Sequence, residues 1–163
     1  MAKTALLIID MQNDFVWPGA PMETPGAPDI IPTIQAIRAA FTQRKLPIIH
    51  TRYIADKSME RLEGQVPWVE TLKAPVFACV PGHMRAYEGR GKAKVEALID
   101  ELEPASGELV IDKVFYSAFS GTDLNDQLQA MNVRELIVVG IQTELCVDDT
   151  ARAAVPLGAP PAW

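Results

Sequence analysis

Leu6-Leu7-Ile8-Ile9 is an unbroken apolar run that stops at Asp10. A run that is apolar at every residue, rather than every second one, suits a strand covered on both faces, as in a parallel sheet flanked by helices. Comparable runs lie at Pro47-Ile48-Ile49-His50, Leu109-Val110-Ile111 and Leu136-Ile137-Val138-Val139. Apolar residues at helical spacing separate them: Ile30, Ile34, Ile37 and Phe41, then Val95, Leu98, Ile99 and Leu102, then Leu124, Leu128 and Met131. The alternation predicts an α/β fold, an open and mainly parallel sheet with helices on both faces in a Rossmann-like three-layer arrangement. A last helix is expected over 147–155. Between about Ile54 and Gly91 the pattern has no period and is broken by Pro67, Pro75, Pro81, Gly64, Gly82 and Gly89. A connection of that length is expected to serve as a lid or binding loop, with a short extra strand at 75–80.

The chain has 163 residues, which predicts a single domain over 1–163. Apolar residues at 48% and charged ones at 22% exclude a disordered polar tract and a coiled-coil rod. Fifteen Lys and Arg against 21 Asp and Glu give a net charge of −6 with no dense basic cluster, which argues against nucleic acid and anionic membranes as partners. No apolar run approaches the ~20 residues of a membrane helix. Two cysteines, Cys79 and Cys146, are too few for a disulfide framework, and no secretory signal is seen, so a reducing cytoplasmic setting is expected. The last nine residues hold three of the 13 prolines, and 156–163 is expected to be an irregular tail.

In an open parallel sheet, ligands bind beyond the carboxyl ends of the strands. Asp10 follows the first run, Asp112 and Lys113 follow the third, and Gly140 leads from the fourth to Cys146. A carboxylate, an ammonium and a thiol therefore fall on one rim. Each has a plainer reading alone: Asp as a turn residue, Lys as a solvated charge, Cys as a small buried hydrophobe. Cys79, between Ala78 and Val80, is read in that last way. Together they are the parts of a covalent hydrolase. Cys146 at the opening of a helix, with Lys113 near, is expected to have a lowered pKa. Asp10 would take the thiol proton and later activate water.

Three blocks, LLIIDMQNDF (6–15, followed by Pro18-Gly19), VIDKVFYSAFSGTDL (110–124) and GIQTELCVDDTARAA (140–154), resemble the isochorismatase-like cysteine hydrolases. The similarity covers residues 1 to about 155 and is weakest over 54–91. It implies a catalytic triad of Asp10, Lys113 and Cys146. The thiol would attack a carbonyl or imine-like carbon, Asp10 would shuttle protons, and Lys113 would support the charges, with ammonia a common leaving group. It also implies a non-proline cis peptide at Ile141–Gln142, which would turn the Gln142 N–H toward the Cys146 N–H as an oxyanion hole. An ordinary strand-to-helix loop capped by Thr143 is compatible with this.

The sequence departs from the family in two places. Nicotinamidase members carry an Asp-x-His metal motif after the second strand, where this chain has Tyr53 and Ala55. With only His50 and His83 present, and His50 read as a hydrogen-bonded core residue, no metal and no cofactor are expected. Second, Ala153-Ala154-Val155 runs into Pro156, Gly158, Pro160 and Pro161 where the family continues with a further strand and helix. The chain is expected to be C-terminally shortened and to lack that edge of the sheet.

Phe15, Trp68, Tyr116 and Phe119 are candidates for the substrate pocket, and Arg52 for binding a substrate carboxylate through a bidentate pair. Arg152 is expected to pair with Asp148 or Asp149. The function expected is a metal-independent cysteine hydrolase acting on a small amide, ureido or related C–N bond, assembled as a homo-oligomer. Cleavage of a vinyl ether without the thiol is a second chemistry open to the family. A non-catalytic member that binds a small molecule or a partner is the reading of a different class. A flavodoxin-like nucleotide-binding domain lacks support, because no phosphate-binding loop follows Asp10.

Overall fold

The computed structural model describes residues 3–56, 58–59, 63–159 and 161. Along the chain the elements are β1 (Lys3–Ile9), α1 (Asn13–Val16), α2 (Ala27–Gln43), β2 (Ile48–Tyr53), β3 (Met84–Tyr87), β4 (Gly91–Lys94), β5 (Leu109–Lys113), α3 (Leu124–Ala130), β6 (Val133–Gly140) and α4 (Asp148–Ala154). Short 3₁₀ turns occupy Pro67–Leu72 and Asp100–Leu102, and a π-helical turn, Thr143–Val147, leads into α4. The four apolar runs form one parallel sheet in the order β5-β2-β1-β6. The fold is the α/β arrangement that the alternation predicts.

The reason β1 is apolar throughout is visible in its packing. Leu6 and Ile8 enter one core with Ile31 and Ile34 of α2, while Ala5, Leu7 and Ile9 enter a second with Leu124 and Leu128 of α3. Alternate side chains of a strand point to opposite faces, so two covered faces demand an unbroken run. Each such Leu or Ile contributes roughly 1.5–3 kcal/mol on burial. α2 begins after Gly26, whose φ of +80° suits a residue without Cβ, and Pro28 stands in its first turn, where no N–H is needed.

Two expected elements differ. The stripe Val95, Leu98, Ile99 and Leu102 is not a helix: the chain turns after β4 at 95–96, bridges Gln12 at Leu98 alone and ends in a 3₁₀ turn, and Val95, Ile99 and Leu102 are fully buried. Nor is 75–80 a strand, because Phe77 and Cys79 both take φ of +52°, incompatible with extended backbone. The long connection does contain regular structure, the antiparallel hairpin β3–β4. Residues 57 and 60–62 of that connection, and 160, 162 and 163 of the tail, lie outside the described residues. Residues 155–158 form turns, Ala159 is buried in the second core, and Pro161 forms an isolated parallel bridge to Leu136.

Candidate active site

β1 and β5 end on the same side of the sheet with β2 between them, so the strand order itself brings Asp10 and Lys113 together. Asp10 takes φ of +51°, a left-handed conformation that Asp tolerates better than most residues. Thr51 of β2 holds it there: its hydroxyl donates to Asp10 Oδ1 at 2.6 Å and accepts the Asp10 N–H at 3.2 Å. Two residues on, Gln12 donates to the carbonyls of Tyr53 and Glu96, both at 2.9 Å, and accepts the Tyr53 N–H at 2.6 Å. Asp14 is fully buried and accepts from Arg85, the Tyr87 hydroxyl and the Cys79 N–H. The loop after β1 is thus tied to β2, to the 95–99 passage and to the hairpin.

Lys113 is 2% exposed, and its ammonium spends its donors locally. Nζ stands 2.7 Å from Asp10 Oδ2, 3.0 Å from the Phe115 carbonyl and 3.4 Å from Cys146 Sγ. Asp10 Oδ2 meets Nζ as an ion pair off hydrogen-bond alignment, while Oδ1 is taken by Thr51. Oδ2 is therefore the oxygen able to receive a proton. Burial by itself would lower the Lys113 pKa, but Asp10 and then Cys146 carry it above the ordinary lysine range, so the ammonium stays charged.

Cys146 reaches the site from the π-helical turn after β6, with Leu145 and Val147 on either side donating to the Gln142 carbonyl. The thiol is not activated in the way the helix opening predicts. Burial first, and then the Asp10 carboxylate, push it up to about 12, with Lys113 pulling the other way. The balance is one of charge. Asp10 and Lys113 already neutralise each other, so a thiolate would be a second buried anion beside a single cation. The Ile141–Gln142 peptide is cis, as the resemblance implies. Immediately before it, Gly140 (φ +116°) crosses the end of β1 so closely that a Cβ would lie 2.2 Å from the Ile9 carbonyl oxygen.

A cavity of about 200 Å³ opens beside the three residues. Asp10, Gln142 and Cys146 line it, as do Phe15, Trp68 and Tyr116 of the expected aromatic wall. Tyr53 completes that wall, edge-on to Phe15 at 6.2 Å and to Trp68 at 5.9 Å, and the Trp68 indole donates to the Tyr116 hydroxyl at 2.9 Å. Two expected pocket residues lie elsewhere. Arg52 does not reach the cavity, because it faces Asp112 across the β2–β5 register and forms a bidentate pair with it at 2.7 and 2.8 Å. Phe119 packs against the second core. Arg152 pairs with Asp148 at 2.7 Å.

His50 is fully buried and bonded to Glu108 at 2.9 Å, and Tyr53, at the position of a nicotinamidase ligand, is a wall residue. Among the described residues, no group of three or more His, Cys, Asp and Glu side chains is arranged to hold a metal ion. Thr51, Gln12, Tyr53 and Glu23 are the site residues that the sequence reading missed. A threonine inside an apolar, doubly covered strand is a readable signal for the first of these, since a buried hydroxyl needs a partner.

The isochorismatase domain model matches residues 4–161. The chain is 29% identical over 156 residues to the ureidoacrylate amidohydrolase RutB of Caulobacter segnis, covering 91% of this chain and 65% of that one. It is likewise 29% identical over 164 residues to the N-carbamoylsarcosine amidase of an Arthrobacter species, covering 96% of this chain and 55% of the relative. It thus spans between about half and two-thirds of the length of these relatives. A crystal structure of an isochorismatase family protein from Desulfovibrio vulgaris superposes with a TM-score of 0.84 at 31% identity, covering 99% of this chain and 78% of that one. With the domain model matching residues 4–161, nearly end to end, the chain belongs to the isochorismatase family.

Proposed function

We propose that the chain is a metal-independent cysteine hydrolase that cleaves a small amide, ureido or related C–N bond, with Asp10, Lys113 and Cys146 as its catalytic residues. One observation carries the reading: a carboxylate and a thiol from separate segments line one cavity, and a buried ammonium from a third stands within hydrogen-bonding reach of both. The amidohydrolase names of the relatives support the reaction type.

Because the resting thiol is protonated, the nucleophile forms as it attacks. Asp10 Oδ2 takes the Cys146 proton while sulfur bonds to the carbonyl carbon. The resulting oxyanion is assigned to the backbone N–H groups of Gln142 and Cys146. Asp10 then hands its proton to the departing nitrogen, which leaves as ammonia or an amine and a thioester remains. Water, deprotonated by the same carboxylate, attacks the thioester, and the acid is released as Cys146 recovers its proton. Lys113 stays charged throughout and balances whichever of Asp10 and Cys146 is anionic.

The test is ammonia release from a panel of small amides and ureido compounds, with Cys146→Ala as the control. Turnover of at least one panel member is expected, and the control is expected to lose it by a factor of about 10³ or more. Undiminished turnover in Cys146→Ala would remove the thiol from the mechanism.

A further inference from the structure

We infer that the cavity selects uncharged amides and discriminates against those that carry a carboxylate. The inference rests on the amidohydrolase reading above and specifies the substrate class of that site.

Among the described residues, no Lys or Arg side chain lines the cavity, whereas two carboxylates, Asp10 and Glu23, do. Glu23 is exposed at the mouth, steadied by the Gly19 N–H donating to its Oε2 at 2.8 Å. Among the described residues, four cations of the segments around the site are engaged in ion pairs. Lys113 is held by Asp10, Cys146 and the Phe115 carbonyl; Arg52 by Asp112; Arg85 by Asp14; Lys73 by Glu63. A substrate carboxylate entering here would lose water, find no cation among the described lining residues, and meet a like charge at the entrance.

What the cavity does provide is aromatic surface and uncharged polar groups. The Tyr53 ring lines the cavity, and its buried hydroxyl, held above the ordinary pKa range by burial, stays neutral and brings no charge there. The Gln142 side chain donates to Thr24 Oγ1 at 3.0 Å and keeps its carbonyl oxygen as an acceptor. A volume of about 200 Å³ suits a substituent of ring size, since a 150 Å³ apolar cavity holds benzene. The named relatives are called a ureidoacrylate amidohydrolase and an N-carbamoylsarcosine amidase, and both of those named compounds carry a carboxylate, so the class inferred here differs from them in charge rather than in reaction.

Binding decides the matter independently of turnover. Dissociation constants are measured by calorimetry on Cys146→Ala protein for two matched pairs, benzamide against 3-carboxybenzamide and N-carbamoylglycinamide against N-carbamoylglycine. The neutral member of each pair is expected to bind at least about tenfold more tightly, and Glu23→Gln to narrow that ratio by threefold or more. Equal or tighter binding of the carboxylates overturns the inference, as does failure of both neutral members to bind at millimolar concentration. An unchanged ratio in Glu23→Gln removes Glu23 from it. If the preference holds and the unmodified protein hydrolyses nothing, the hydrolase reading fails and the selectivity stands.

Discussion

At the residue scale the site is defined by three groups and two charges. Asp10→Asn separates the roles, because Asn is as large as Asp and also tolerates left-handed backbone, so the loop after β1 should keep its shape. Turnover is expected to fall by roughly 10³-fold, as for loss of a general base. The same change should make Cys146 more reactive toward iodoacetamide, since it removes the anion that raises the thiol and leaves Lys113 facing sulfur alone. In the unmodified protein, alkylation of Cys146 is expected to rise about tenfold per pH unit between pH 7 and 9, because the proton leaves a thiol held near 12. Cys79, fully buried and held well above its ordinary value by burial and by Asp14, should be labelled more slowly still. A plateau in the Cys146 rate below pH 8 would reveal a preformed thiolate and contradict this account.

At the scale of elements, the contact between the end of β6 and the end of β1 sets the position of the turn that bears Cys146. Gly140 permits it. In Gly140→Ala the new Cβ would lie 2.2 Å from the oxygen and 2.6 Å from the nitrogen of Ile9, on a backbone at φ +116°. Separation of the strand ends and a loss of about 3 kcal/mol or more are expected, read as a fall in Tm on the order of 10 °C. An unchanged Tm would show that the strand ends move apart freely. The parallel strands could be read from sequence because burial on both faces imprints itself residue by residue, as in Leu6 to Ile9. What could not be read depends on register. Arg52 looks free until β2 is laid beside β5 and Asp112 falls opposite it, and Thr51 reveals no partner until Asp10 arrives from β1. The stripe from Val95 to Leu102 has helical spacing without a helix, because a chain of turns and one bridge buries the same positions.

At the scale of the whole molecule, stability should depend on pH through His50. Burial lowers its pKa in the folded protein below 6.5, outweighing the opposing pull of Glu108. The geometry agrees: Nε2 meets Glu108 at 2.9 Å, whereas Nδ1 is buried with no acceptor to receive a second proton. Below pH 6.5 the unfolded chain binds a proton at this residue that the folded chain resists, so stability is present above that pH and is lost on acidification. Glu108, lowered by Arg38 and His50 against its own burial, adds a loss of the same sign below 4.5. Thermal melts should show Tm falling by a few degrees from pH 7 to pH 5, and His50→Gln should flatten that arm. An arm as steep in the variant as in the parent would assign the dependence to other groups. The left-handed backbone at Asp10 has one more consequence, and it concerns descent. That position admits few side chains without strain, and Asn, a single-base change from Asp, is foremost among them. Drift at this codon therefore leads first to proteins that keep the sheet and lose the proton carrier, so that folded but inert copies lie one mutational step from an active one.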